Sequence, residues 1–183
     1  MTGAATVGGH DQLRLFLALE LPEDVVAALV DWGKRHLERG RPVESFHVTL
    51  AFLGSRPASE LDAIVGALQE SAAESSPFTL SPVRYRETRS VGMVVLADHP
   101  SGEGTRLADR LHERLERLGV YEREARPWLP HVTVVRFRER TRLAPPLPEI
   151  APFAPSGAAA FLSRLRRSGA RYEVLESCPL GTP

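Results

Sequence analysis

The chain has 183 residues, of which 43% are hydrophobic and 25% are charged, and its formal net charge at pH 7 is zero. This length fits one domain, and the composition is ordinary for a globular protein. Zero net charge excludes the strongly basic surface that holds long nucleic acids or anionic membranes, and no apolar run is long enough to cross a bilayer. The single cysteine, Cys178, excludes an internal disulfide bond and fits a reduced, cytoplasmic setting.

The first part of the chain predicts strands and helices in alternation. We expect residues 1–12 to form a disordered tail and residues 13–183 to form a single bilobal domain. Pro22 and the acidic residues after it are typical of a helix start. The predicted elements are a buried strand over residues 13–21, a helix over 23–39, a strand over 46–54 and a helix after Ser59.

The second part predicts more strands and one long helix. The predicted elements are strands over residues 78–85 and 91–97 joined by an arginine-rich turn over 86–90, a helix over 104–118, a strand over 131–137 and a proline-rich connector over 145–155. Residues 158–167 suit either helix or strand, but the Ser168-Gly169 turn and the strand pattern over 171–175 favour a hairpin. His112 lies beside the apolar face of its helix, and we assign it no role. Together these elements indicate an α+β fold.

One short pattern occurs twice, in two of the predicted strands. The copies are His47-Val48-Thr49-Leu50 and His131-Val132-Thr133-Val134. Side chains alternate between the two faces of a strand, so each histidine shares a face with its threonine, while Val48, Leu50 and Phe52 point to the other face. Two copies in similar contexts predict two similar halves, related by a pseudo-twofold axis, with the histidines facing each other across a cleft.

Two histidines and two threonines on one face suit phosphodiester chemistry without a metal or another cofactor. Imidazoles titrate near neutral pH and can act as a general acid and a general base. The threonine hydroxyls can donate hydrogen bonds to phosphoryl oxygens. A zinc site would need three or four ligands, a serine hydrolase would need a nucleophile elbow, and an ATPase would need a phosphate-binding loop; the sequence contains none of these patterns.

With these motifs, an opening strand RLFLALELP and a closing segment SGARYEVLESCPL, the sequence resembles the 2H phosphoesterases. Within them it is most similar to the RNA 2′,3′-cyclic phosphodiesterases, also named 2′-5′ RNA ligases. The resemblance implies a bilobal pseudo-twofold fold, in which two antiparallel-rich sheets line a central cleft and the helices lie outside. It also implies hydrolysis of a terminal 2′,3′-cyclic phosphate of RNA to a 2′-phosphate, and ATP-independent 2′-5′ ligation when a 5′-hydroxyl end replaces water.

The resemblance assigns a role to each residue of the doubled motif. It implies that His47 is the proton donor, that His131 is the proton acceptor, and that Thr49 and Thr133 hold the phosphate. Arg136 matches an arginine that follows the second motif in this family and would bind substrate. Strand alternation, however, places Arg136 opposite His131 unless a β-bulge intervenes, and a salt bridge is its alternative role.

Some interpretations stay open at this point. Core packing is favoured for Phe46, whereas Trp128 suits either core packing or stacking on a base. Residues 84–95 match the family poorly, so the arginines between Arg84 and Arg89 have no assigned role. The substrate is an RNA 3′ end or, alternatively, a small cyclic nucleotide or ADP-ribose cyclic phosphate, and a module that binds RNA ends without catalysis is a third possibility. We expect a monomer without metal or membrane partners.

Overall fold

A computed structural model describes residues 11–139, 141–167 and 169–181, and within them the chain forms eight strands and three α-helices. The strands are β1 (Gln12–Glu20), β2 (Arg41–Pro42), β3 (His47–Pro57), β4 (Ser81–Glu87), β5 (Val91–Ala97), β6 (His131–Arg136), β7 (Gly157–Arg166) and β8 (Gly169–Cys178). The helices are α1 (Glu23–His36), α2 (Leu61–Ala73) and α3 (Glu103–Arg117).

Several predicted boundaries shift for local reasons. The α1 helix ends before the predicted Arg39, because the backbone leaves helical geometry at Leu37 (φ −111°, ψ 64°) and the chain turns at Gly40, whose φ is +95°. The predicted tail over residues 1–12 is too long by its last two residues, since the Asp11 carbonyl accepts a hydrogen bond from Ala58 N–H and Gln12 begins β1; residues 1–10 lie outside the described residues.

Two strands, β3 and β4, extend past their predicted ends. β3 continues past Gly54, because its end pairs with the beginning of β1. β4 continues to Glu87, so Arg86 lies in a strand and not in the predicted turn. The predicted hairpin after the proline-rich connector is confirmed as β7 and β8, which pair in antiparallel fashion.

All strand pairs in the described residues are antiparallel, and they form one curled sheet with the order β4-β5-β6-β3-β1-β7-β8, in which β2 also pairs with β6. The sheet divides into a first half-sheet (β3, β1, β7 and β8) and a second half-sheet (β4, β5, β6 and β2). Within the described residues the two halves pair through β3 and β6 at Val48 and Val132. The predicted antiparallel-rich α+β fold is thereby confirmed, with the two predicted sheets joined into one curled sheet at a narrow seam.

The helices cover one face of this sheet and leave the other face open. Helix α1 buries Val25, Leu29 and Trp32 at the spacing of one helical face, and α3 buries a leucine stripe in the same way. Each fully buried side chain of this type stabilises the fold by about 1.5–3 kcal/mol. None of the helices in the described part of the chain combines the length and apolar character that a bilayer-crossing segment needs.

A second, smaller apolar cluster lies on the open face of the first half-sheet. It contains Phe16 and Ala18 of β1 with Ala159 and Phe161 of β7, and Tyr172 of β8 packs against it. The Phe16 and Phe161 rings stack with their centroids 4.9 Å apart. This cluster forms an aromatic wall beside the first motif.

Candidate active site

The seam between the half-sheets brings the two motifs together. Val48 pairs with Val132 in antiparallel register, and both side chains are buried toward the helices. Extending the register by one residue in each direction places His47 across from Thr133 and Thr49 across from His131. Opposite Cβ atoms in such a pair lie about 5 Å apart and diagonal ones about 7–8 Å. The four polar side chains therefore share the open face, with room for one phosphoryl group between the histidines.

Each motif strand has a β-bulge at the last residue of its motif. In β3, Ala51 pairs with Leu17 but Thr49 pairs with Ala18, so one extra residue, Leu50, lies between them. The next residues are buried in succession, which reverses the alternation of faces. Phe52 consequently points to the open face and is 49% exposed. The prediction that Phe52 faces the core is wrong for this reason.

The bulge in β6 has the equivalent position. Gly92 pairs with Val135 and Met93 pairs with Thr133, so Val134 is the extra residue. Val134 and Val135 are both buried, and Arg136 emerges on the open face with the histidines. The bulge that the placement of Arg136 required is therefore present, and simple alternation would have put its side chain on the wrong face.

A histidine without a predicted role supports the first bulge. His112 of α3 is 5% exposed, and its Nε2–H donates to the Leu50 carbonyl over 2.7 Å. A buried carbonyl without a partner would cost about 1–3 kcal/mol. This hydrogen bond holds the strand segment that carries Thr49 and Phe52, a structural contact that the sequence analysis did not foresee.

His47 lies against the aromatic wall. Its ring centroid is 4.8 Å from Phe16, 5.4 Å from Tyr172 and 5.7 Å from Phe161. Burial by these rings, followed by the positive charges of Arg136 and His131, lowers the pKa of His47 to about 4. The imidazole is therefore neutral at pH 7 in the phosphate-free protein.

The Nδ1 atom of His47 is buried and has no hydrogen-bond partner among the described residues. The Ser45 carbonyl, two residues earlier, acts to raise the pKa of the ring.

His131 has the contact that His47 lacks. Its Nδ1 lies 2.8 Å from the Leu129 carbonyl, also two residues earlier in the chain. A carbonyl can only accept, so Nδ1 carries the hydrogen and the neutral ring keeps its lone pair on Nε2. This tautomer presents a proton acceptor on the ring atom that Leu129 leaves free.

Arg136 forms a polar link to the aromatic wall. Its Nη2 donates to the Tyr172 hydroxyl over 3.4 Å, and the Tyr172 ring packs nearly perpendicular to the His47 ring. Among the described residues, Arg136 has no ion pair with a carboxylate. A salt-bridge role for this guanidinium therefore has no support in the structure.

The two aromatic residues next to the motifs pack against the main core. Phe46 is half-buried there, as predicted. Trp128 is also half-buried, and its Nε1–H donates to the Thr49 carbonyl over 2.9 Å. Trp128 thereby ties the segment before the second motif to the first motif, while one side of it still lines a cavity.

Two adjoining cavities occupy the open face and share Thr49 and Phe52 in their linings. The first, of about 370 Å³, contains His47 and is named here the His47 cavity; Thr133 and Arg136 also line it. The second, of about 610 Å³, contains His131 and is named the His131 cavity. The five site residues predicted from the sequence are thus brought together where these cavities meet.

Sequence reasoning missed Phe52, Tyr172 and His112. Phe52 and Arg136 each stand five positions after their motif histidine, and this shared offset was a usable signal for a common bulge. Nothing in the local pattern marks Tyr172 or His112, because their contacts with the site come from distant parts of the chain. Within the described residues, no cluster of three or more histidine, cysteine or acidic side chains has the arrangement of a metal site.

Comparison with known proteins agrees with this architecture. The chain is 32% identical to the RNA 2′,3′-cyclic phosphodiesterase of Thermus thermophilus, over 92% of this chain and 90% of that protein. The crystal structure of Escherichia coli LigT in its apo form superposes with a TM-score of 0.78 at 27% identity, covering 94% of this chain and 99% of that one. The complex of LigT with 3′-AMP superposes with a TM-score of 0.75 at 26% identity, covering 93% and 98% of the two chains.

A family model agrees with these individual relatives. The model of the 2′-5′ RNA ligase superfamily matches residues 21–169, a segment that contains both motif strands and all three helices. The chain therefore belongs to the 2′-5′ RNA ligase superfamily.

Proposed function

We propose that this protein hydrolyses the terminal 2′,3′-cyclic phosphate of RNA to a 2′-phosphate, with the two motif histidines as its acid and base. The observation that carries the proposal is the antiparallel pairing of Val48 with Val132, which puts both histidines and both threonines on one face. The Thermus relative is named for this activity, and the E. coli relative was crystallised with a 3′-phosphorylated nucleoside.

His131 acts as the general base. Its Nε2 takes a proton from water, and the resulting hydroxide attacks phosphorus in line with the bond to the 3′ oxygen. That P–O bond breaks, and His47 donates a proton to the departing 3′ oxygen, leaving a 2′-phosphate and a 3′-hydroxyl. Each proton transfer of this kind is typically worth about 10²–10⁴-fold in rate.

Thr49, Thr133 and Arg136 hold the phosphoryl group. The threonine hydroxyls donate to its non-bridging oxygens from the two sides of the seam. The Arg136 guanidinium, which lines the His47 cavity, adds a charge-assisted hydrogen bond to the same group. Negative charge that builds up on the oxygens during attack is thereby stabilised without a metal ion.

The proton on His47 arrives together with the substrate. In the phosphate-free protein its pKa of about 4 leaves the ring neutral, mainly because the aromatic wall removes water from it. A phosphodiester placed between the rings brings a negative charge beside His47, which favours the protonated form. Substrate binding therefore converts His47 into the acid that the reaction needs.

The test is turnover of an RNA oligonucleotide that ends in a 2′,3′-cyclic phosphate, in the presence of EDTA. We expect hydrolysis by the wild type and a loss of about 10²-fold or more in kcat/KM for each of His47→Ala and His131→Ala. His36→Ala, a histidine outside both cavities, serves as the matched control. Full activity in the double variant His47→Ala/His131→Ala would contradict the proposal, as would tight capture of the cyclic end without turnover.

A small cyclic nucleotide or ADP-ribose cyclic phosphate is the second candidate substrate, favoured by the zero net charge of the chain. Comparing kcat/KM for a cyclic mononucleotide with that for the oligonucleotide separates the two. We also propose that the protein works as a monomer in the cytoplasm. This is supported by a site built entirely from one chain and by a single cysteine, and sedimentation and cell fractionation test it.

A further inference from the structure

A third cavity continues the His47 cavity. It has a volume of about 440 Å³ and is named here the Arg41 cavity. Among the described residues, it shares no lining residue with the His131 cavity. The residues that line both the Arg41 cavity and the His47 cavity are Arg41, Val43, Ser45, Arg136, Ala170 and Tyr172. A molecule bound at His47 can therefore extend into the Arg41 cavity without entering the side from which water attacks.

Two guanidinium groups reach the Arg41 cavity from the second half-sheet. Arg41 of β2 pairs directly with Arg136 of β6, so both side chains lie on the open face with their Cβ atoms about 5 Å apart. The Arg41 guanidinium extends across the cleft to Gly169, where an added Cβ would lie 2.7 Å from its Nη2. Arg136 reaches the same strand, β8, at the Tyr172 hydroxyl. Both cations therefore lie between the half-sheets at one end of the cleft.

This pair of cations faces little opposing charge. Like charges directly opposite each other on neighbouring strands destabilise a sheet. Arg136 has no carboxylate partner among the described residues, and Glu44 is the only acidic residue among the described residues that line the Arg41 cavity. Arg171 also lines the cavity, but alternation with Tyr172 directs its side chain to the other face of β8. A phosphate that accepts hydrogen bonds from Arg41 and Arg136 would offset the repulsion between them.

The chemistry at the histidines indicates which phosphate reaches this cavity. In an in-line displacement, the attacking water stands on the His131 side, and the departing 3′ oxygen stands with its ribose on the His47 side. The 5′ oxygen of the same ribose carries the phosphate that links the terminal nucleotide to the preceding one. We infer that the Arg41 cavity binds this 5′ phosphate, with Arg41 as its main contact.

The protein thereby selects the end of an RNA strand over a cyclic nucleoside phosphate that lacks a 5′ phosphate. Arg136, which lines both cavities, lies between the 5′ phosphate and the phosphoryl group under attack. This inference rests on the proposed function and adds to it the part of the substrate that lies beyond the reacting ribose.

The experiment compares substrates that differ only at the 5′ oxygen. They are adenosine 2′,3′-cyclic phosphate, its 5′-phosphorylated form, and the dinucleotide ApA with a terminal 2′,3′-cyclic phosphate. The ratio of kcat/KM for each phosphate-bearing substrate to that for adenosine 2′,3′-cyclic phosphate isolates the contribution of the 5′ phosphate, because all three share the same reacting group. We expect a wild-type ratio of about tenfold or more, since hydrogen bonds between charged groups are worth about that factor.

Arg41→Ala should lower both ratios about tenfold. Arg41→Lys should have an intermediate ratio, because lysine keeps the charge but not the guanidinium fork. The matched control is Arg89→Ala, which removes the same charge from an exposed position outside all three cavities and should leave the ratios within about twofold of the wild type. The wild-type ratio should also fall as salt rises, with a logarithmic slope of about −0.7 for one phosphate contact.

Three results would overturn the inference. They are a wild-type ratio near one, an Arg41→Ala variant whose kcat/KM falls equally on all three substrates, and a higher kcat/KM for ADP-ribose cyclic phosphate than for the dinucleotide. The second result would mean that Arg41 has only a structural role, and the third would assign the cavity to the diphosphate of a small molecule. Failure of the proposed function appears separately, as absent hydrolysis of every cyclic substrate by the wild type.

Discussion

The two motif strands begin alike and then provide different surroundings for their histidines. In both, a histidine and a threonine flank a buried valine, and a β-bulge follows at the same offset. In the first half, the ring of His47 is packed among aromatic side chains and its Nδ1 has no partner among the described residues. In the second half, the Nδ1 of His131 is held by the Leu129 carbonyl.

The residue that faces the open side of the sheet after each bulge also differs between the two halves. The first half presents Phe52, and the second half presents Arg136. The pseudo-twofold arrangement thus supplies the geometry of a site for one phosphoryl group, because it repeats the placement of two polar side chains. The departures from symmetry make the two histidines chemically different, and a reaction that needs one acid and one base requires that difference.

The largest expected effect concerns the leaving group. We expect His47→Ala to lose about 10²–10⁴-fold in kcat/KM on a 2′,3′-cyclic phosphate. It should lose far less on bis(p-nitrophenyl) phosphate, whose leaving group needs no proton. His131→Ala should lose activity on both substrates, since a nucleophile must be deprotonated in either case. The opposite pattern, in which His131→Ala keeps its activity on bis(p-nitrophenyl) phosphate and His47→Ala loses it, would show that His131 is the proton donor and His47 the proton acceptor.

An intermediate effect is expected at the paired positions after the bulges. Arg136→Ala removes a charge-assisted hydrogen bond to phosphate and should lower kcat/KM by about 10–100-fold. Arg136→Lys should recover part of the loss, because it keeps the charge but not the guanidinium fork. Phe52→Leu, on the same cyclic oligonucleotide, should change kcat/KM only a few-fold. A fall in kcat/KM for Phe52→Leu as large as that for Arg136→Ala would contradict the expected difference between these two positions.

The smallest expected effect is a pH dependence of anion binding. His47 has a pKa of about 4 without an anion, and an anion beside it raises that pKa, so binding takes up a proton. Affinity must therefore increase as the pH falls, by up to about tenfold per unit, and level off below pH 4. Calorimetric titration with sulfate between pH 7 and 5 measures this, because sulfate does not titrate there. His47→Gln should show a shallower slope, and an identical slope would contradict the assignment.

Much of this arrangement follows from local patterns in the chain. Alternation correctly assigns His47, Thr49, His131 and Thr133 to one face, because these four residues precede the bulge in each strand. The alternation then fails at Phe52, since a bulge depends on which residues of the neighbouring strand are paired, and that information is distant in sequence. The hairpin of β7 and β8 was predictable from its turn.

Contacts made by distant elements were not predictable. The bond from His112 to the Leu50 carbonyl joins a helix to a strand far from it in sequence, and the contact of Tyr172 with His47 comes from the last strand. Helical spacing shows only that His112 lies at the edge of an apolar face. The lowered pKa of His47 depends on such contacts, so the chemical difference between the histidines became visible only with the fold.

The hydrogen bond from Trp128 to the Thr49 carbonyl has an optical consequence. The chain contains two tryptophans. Trp32 is buried on the core face of α1 and its indole N–H donates to the Pro146 carbonyl, whereas Trp128 borders the His131 cavity. Indole fluorescence emission shifts with the polarity around the ring. A ligand that binds in the His131 cavity therefore changes the emission of Trp128 and not that of Trp32. In a Trp32→Phe variant, the emission of Trp128 therefore reports ligand binding in the His131 cavity without an attached dye.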